Sequence, residues 1–234
     1  MSRRVFLFFS FLFVFYALPA QDRESGQHPY VIRGEVYADM EPIYIGHVDS
    51  EYPLDIPAAG RRALEEAALL FSGMIYGWSF HYEVGERARG IAEILELEPV
   101  ATIPFGDLRL QVTDTQIEDM RLRIWADYHL SDAQQRNMRV WRTGTVRNAQ
   151  ASGYGPEVID EYPGWLQLKK AALEDAAKSA LRTMLRGSER NRPKEASGFI
   201  SLSAFPRFFI DSGRWAASAR FRVQIEEIIP FSAY

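Results

Sequence analysis

The chain predicts an α+β fold: an antiparallel sheet built from two pseudo-repeated strand-helix-strand units, with two main helices packed on it. Three observations carry that expectation. Leu64, Ala68, Phe71 and Ile75 step by 4, 3 and 4, as do Leu173, Ala177, Ala180 and Met184, so each set shares one helix face. Met120-Arg121-Leu122-Arg123-Ile124 and Ala219-Arg220-Phe221-Arg222-Val223 alternate apolar with basic, the period of a half-buried strand. The pieces also recur in order. Ala63-Leu64-Glu65-Glu66-Ala67-Ala68 matches Ala172-Leu173-Glu174-Asp175-Ala176-Ala177 at an offset of 109, and the two alternating segments match at an offset of 99. Self-similarity of this kind points to an internal duplication.

Residues 1–20 read as a secretory signal peptide. Arg3 and Arg4 precede Val5 to Leu18, fourteen uncharged residues with six phenylalanines, and Leu18-Pro19-Ala20 closes the run. A positive start, a short apolar stretch and a small final residue form the export pattern, and the run is too short for a membrane span of about 20 residues. Cleavage is expected after Ala20, by unfolded export in preference to the twin-arginine route that Arg3-Arg4 also suggests. Residues 21–30 are polar and expected to be flexible.

The first α+β unit is assigned to residues 31–130. Val31 to Tyr37 reads as a strand. The helix that follows has Pro57 in its first turn and Gly73 or Gly77 at its end. Residues 78–106 form an insertion with no counterpart in the second unit: a strand from Trp78 to Val84, a short helix from Glu86 to Leu95, then breaks at Pro99, Pro104 and Gly106. Residues 119–130 read as a strand with Met120, Leu122, Ile124, Ala126, Tyr128 and Leu130 on its core face.

The second unit, residues 136–234, is expected to interlock with the first as one globular domain. Ser131 to Gln135 read as the loop of a hairpin, with residues 136–147 as its returning strand. A register summing to 266 sets Trp125 opposite Trp141, Asp127 opposite Arg139, Asp119 opposite Arg147 and Arg123 opposite Thr143. Such cross-strand pairs contribute about 0.2–1 kcal/mol each. The first strand of the unit would lie within Met138 to Val146, with Gly144-Thr145-Val146 falling 110 residues after Gly34-Glu35-Val36. Gly153-Tyr154-Gly155-Pro156 reads as a turn. The second helix lies between Gly164 and Gly187, with Arg182 and Arg186 suiting its C-terminal dipole. Phe205 to Asp211 reads as a buried strand and turn, and Ile228 to Phe231 ends the last strand.

The chemistry of the chain narrows its function. There is no cysteine, hence no disulfide, thiolate nucleophile or Cys-ligated metal. Loss of Arg3 and Arg4 takes the formal charge from −4 to −6, against the basic balance of a nucleic-acid binder. His28, His47, His81 and His129 are too far apart in sequence to form a helical zinc pair. No Gly-x-Ser-x-Gly elbow, phosphate-binding glycine loop or calcium loop is present, and Glu93, Glu96 and Glu98 read as a solvated face.

The informative residues are arginines and tryptophans. Arg121, Arg123, Arg220 and Arg222 lie on equivalent strands, and with Arg139, Arg147, Trp125 and Trp141 they are expected to line the sheet face away from the core. Trp and Arg are enriched at interface hot spots, although arginine stems also cover ordinary solvated faces. The expectation is an exported, non-catalytic periplasmic or envelope protein with an envelope protein partner and no cofactor. The alternative is a small-ligand or glycan-binding module stacking its ligand on Trp125 and Trp141, and a carboxylate hydrolase ranks below both. If that face proves to be ordinary structure, the insertion from Trp78 to Gly106 is the next place to look.

Overall fold

A computed structural model describes residues 30–42, 52–86, 90–157, 164–188 and 193–230. The expected signal peptide at 1–20, and all but Tyr30 of the segment 21–30, lie outside them, as do His28 and His47. In chain order the elements are β1 (Val31–Asp39), α1 (Ile56–Ile75), β2 (Trp78–Glu83), β3 (Ile94–Pro99), β4 (Leu110–Glu118), β5 (Arg121–His129), α2 (Asp132–Val140), β6 (Arg147–Tyr154), α3 (Trp165–Ser188), β7 (Pro193–Leu202), β8 (Arg207–Asp211) and β9 (Arg214–Pro230). The fold is α+β, with helices packed on antiparallel sheets.

Local chemistry explains where α1 begins and ends. The Asp55 side chain accepts the Ala58 N–H at 2.8 Å, a helix N-cap, and Pro57 occupies the first turn, where a missing N–H costs nothing. Gly77 closes the helix at φ +70° and donates its N–H to the Ser72 carbonyl at 3.2 Å, the left-handed ending that glycine supplies without strain. Gly73 lies one turn earlier, and a Cβ there would meet the Trp78 ring at 2.2 Å.

One sheet has the order β1-β5-β4. The other has the order β3-β2-β7-β9-β6, with β8 also paired to β9. Helix α1 lies on β1 and β5, and α3 on β6 and β9. Each of these helices is therefore flanked in sequence by strands that pair antiparallel with each other, β1 with β5 and β6 with β9. Strand β2, from the first half of the chain, pairs with β7 from the second. Val36, Leu122, Ile124, Ala126 and Tyr128 are buried with Ala63, Ala67, Leu70 and Phe71 in one continuous core with Ala172, Ala176, Leu181, Phe221 and Val223.

The two halves also meet at a buried ion pair. Lys169 Nζ on α3 donates to Glu66 Oε2 on α1 at 2.5 Å, and both side chains are 3% exposed. The rings of Tyr37, Phe208, Trp215 and Trp165 surround the ammonium, with centroids 4.7–5.6 Å away. Burial is the largest influence on Glu66 and holds its pKa above the usual carboxylate range, although Lys169 pulls the other way.

Four local expectations are corrected. Residues 132–140 form helix α2, so the hairpin and its Trp125–Trp141 pairing do not exist. Strand β5 has β1 on one side and β4 on the other. The reason is a capping box: Ser131 accepts the Gln134 N–H while Gln134 Oε1 accepts the Ser131 N–H, two orphan donors satisfied reciprocally. The expected helix from Glu86 to Leu95 is instead an antiparallel bridge between Glu86 and Ile91 followed by β3. Leu95 and Leu97 alternate with Glu96 and Glu98, opposite Tyr82 and Phe80 of β2, so the period is two. Strand β6 begins at Arg147, later than the expected 138–146. Gly153 and Tyr154 belong to β6 and form no turn there. As expected, the Phe205–Asp211 segment contributes to the core: Phe208 is buried and the Phe205 ring lies 4.9 Å from Phe71.

Candidate interaction surface

The predicted arginine–tryptophan face is divided among three places. Arg121, Arg123 and Trp125 project from β5 on the side away from the Leu122, Ile124 and Ala126 core face. Register explains their partners. Asp39 stands directly opposite Arg121, and Arg33 opposite Asp127. Arg121 Nε reaches Asp39 at 2.7 Å while its guanidinium lies over the Tyr37 ring. Arg33 Nε meets both Asp127 oxygens at 3.0 Å. Arg123 stands opposite Tyr37 and reaches diagonally to Glu35 at 3.3 Å. The expected Asp127–Arg139 pair is thus replaced by Asp127–Arg33. These arginines form a cross-strand ion-pair ladder whose exposed members are each worth little. Tyr37 closes the ladder toward the second sheet, donating its hydroxyl to the Phe208 carbonyl at 3.1 Å. Burial is the main reason its pKa is pushed up to about 12.

Trp141 follows α2 and is buried. Its Nε1 donates to the Ile75 carbonyl at 3.3 Å. Trp125 is half-buried on β5, so the two indoles form no common stacking platform. Arg139 is exposed on α2. Arg220 and Arg222 lie on β9 in the other sheet, Arg220 exposed and Arg222 half-buried.

The surface that sequence reasoning passed over is β4 and the loop before it. Strand β4 is an edge of its sheet, and Gln111 to Glu118 are all exposed. Val112 and Ile117 stand opposite the buried Ala126 and Leu122, so they continue the core face past the cover of α1. They are 44% and 50% exposed. A bulge between Val112 and Asp114 shifts the register. It breaks a strict alternation that would otherwise have marked Leu110 to Ile117 as a strand. In the preceding loop Phe105 is 59% and Leu108 90% exposed.

That loop is anchored firmly. Asp107 accepts the Arg109 N–H and Nε at 3.0 and 3.1 Å, the Arg109 Nη2 at 2.7 Å and the Tyr128 hydroxyl at 3.1 Å. Buried Gln134 ties the cluster inward. Its amide nitrogen donates to the hydroxyls of Tyr128 and Tyr76, and its oxygen accepts from Arg109 Nη1. The Arg109 hydrogen bond, foremost, holds the Asp107 pKa at about 2, below its ordinary 3.8. A carboxyl shifted down in the fold stabilises it above the unfolded pKa, and that contribution is lost as pH falls from about 4 to about 2. Asp107→Asn is therefore expected to cost about 1 kcal/mol at neutral pH. The gap to the parent should narrow as pH falls toward 2, as read by urea unfolding at neutral pH and at pH 2.

Among the described residues no three His, Asp or Glu side chains gather to hold a metal ion. No helix among them is long and apolar enough to cross a membrane. The model of an uncharacterised protein family matches residues 21–231. An uncharacterized protein of Treponema pallidum (strain Nichols) is 28% identical over 222 residues, covering 87% of this chain and 90% of the relative. No solved structure matches the chain.

Proposed function

The chain belongs to the family whose model spans residues 21–231, and from that premise we propose that it is an exported, non-catalytic protein of the periplasm or cell envelope that works by binding another protein. The observation that carries this reading is the β4 edge. A row of backbone donors and acceptors on an exposed edge is a template for an added strand. Val112 and Ile117 supply apolar contact beside that edge, and Phe105 and Leu108 extend it. With Asp114 and Glu118 and no lysine or arginine on β4, the edge favours a partner segment that is extended, apolar and basic.

The test is residue-resolved cross-linking in intact cell envelope, comparing the parent with Phe105→Ser/Leu108→Ser. Both side chains are exposed, so the variant retains its fold. The expected result is a mature N-terminus at Gln21, with cross-links to one partner from residues 105–118 that the variant loses. Cross-links placed elsewhere, or unchanged in the variant, would overturn the reading.

A further inference from the structure

The second sheet contains an arginine that the ladder on the first does not explain. Arg222 has Asn148 of β6 opposite it on one side and Ser201 of β7 on the other, so the three side chains share the sheet face away from α3. Ser201 is fully buried, and neither its Oγ nor the buried Arg222 Nη1 has a hydrogen-bond partner among the described residues. The Ser201 side is closely walled: a Cβ built on Gly77 would lie 3.0 Å from both Ser201 Cβ and the Trp141 ring. Arg142, the next residue after Trp141, lies at the rim and donates Nη2 to the Tyr30 hydroxyl at 2.6 Å.

Where Arg33, Arg121 and Arg123 each meet a carboxylate, Arg222 meets none among the described residues. Its neighbours on this face, Arg220 and Gln224 on β9, Asn148 and Gln150 on β6, and Ser201 on β7, include no acid. Burial, and next the like charge of Arg142, lower the proton affinity of Arg222, with Tyr30 opposing weakly. A half-buried guanidinium with one nitrogen closed off from water, beside a second cation, is costly unless an anion completes the set. A planar, forked guanidinium matches the oxygens of a phosphate-type anion.

We infer that Arg222 and Arg142 form a binding site for a phosphate-type oxyanion, with Asn148 and Tyr30 at its edge and the buried Ser201 hydroxyl behind Arg222. The site is separate from β4, and a dianion suits it better than a single carboxylate because the positive charge of Arg142 adds to that of Arg222. The ligand is either free phosphate or the phosphate of an anionic lipid headgroup.

The experiment titrates the full protein with inorganic phosphate at fixed ionic strength, balanced with chloride, and follows binding by calorimetry. Vesicles of phosphatidylglycerol and of phosphatidylcholine are tested in parallel by co-sedimentation. The variants are Arg222→Gln, Arg142→Gln and, as control, Arg220→Gln. Arg222→Gln removes a poorly solvated charge, so it folds at least as well as the parent, which its melting curve checks. The expected result is saturable binding of phosphate, or of phosphatidylglycerol vesicles only, weakened at least tenfold by Arg222→Gln and by Arg142→Gln and unchanged by Arg220→Gln. Phosphate binding identifies the free anion, and vesicle binding alone identifies the headgroup. Absence of both, or binding retained by Arg222→Gln, overturns the site.

Discussion

Lys169→Met is expected to destabilise the protein by about 3–5 kcal/mol at neutral pH, because it leaves Glu66 as a buried carboxylate without its counter-charge. The pair is enclosed by Tyr37, Trp165, Phe208 and Trp215, so water cannot replace the lost ammonium. The pH dependence has a definite sign. Glu66 already sits above the usual carboxylate range because of burial, and removing Lys169 raises it further. A group whose folded pKa is raised favours the fold when protonated, and that benefit is lost as pH rises through the folded pKa. The deficit of Lys169→Met relative to the parent should therefore be largest near pH 7 and shrink toward pH 5. The double variant Glu66→Leu/Lys169→Met removes both charges and should recover most of the loss, since apolar replacements of buried pairs are often tolerated. Urea unfolding of the parent, the single and the double variant measures all three expectations. A single-variant cost below about 1 kcal/mol would mean that the pair is solvated.

Gly153→Ala is expected to cost about 3 kcal/mol, at the upper end of overpacking penalties. An added Cβ would lie 2.0 Å from the Ala176 nitrogen, 2.4 Å from the Asp175 carbonyl carbon and 2.7 Å from the Ala172 oxygen. All three are backbone atoms of α3, so no side chain can turn aside and the helix itself must withdraw from β6. Withdrawal would also stretch the bond from the Tyr154 N–H to Asp175, now 3.0 Å. For a domain of this size, the melting temperature should fall by roughly 6–12 °C. Gly144→Ala, with nothing within 4 Å of the added carbon, serves as the neutral comparison.

Helices α1 and α3 were legible because each carries a long apolar stripe at helical spacing and is bounded by proline or glycine. Strands β5 and β9 were legible because basic and apolar residues alternate along them. Helix α2 was readable in principle, since Ser131 and Gln134 stand at capping-box spacing, but Trp141 and Met138 also satisfied a strand pattern. A nine-residue helix carries too little periodicity to decide between the two. Strand β6, Arg-Asn-Ala-Gln-Ala-Ser-Gly-Tyr, was hidden for the opposite reason: its buried side is alanine and glycine, which leave almost no hydrophobic contrast. In β4 the bulge interrupted the alternation.

The sequence alone determined the elements whose stability is local: stripes, caps and alternation act between residues a few positions apart. Tertiary structure decided which charges neutralise which. Arg121 faces Asp39 from 82 positions away in sequence, and Lys169 faces Glu66 from 103, distances at which spacing carries no information. It likewise decided that Trp141 is interior and that, among the described residues, β4 ends its sheet and Arg222 has no carboxylate partner. Those outcomes depend on strand order, which follows from how the helices cover the sheets and not from any local pattern.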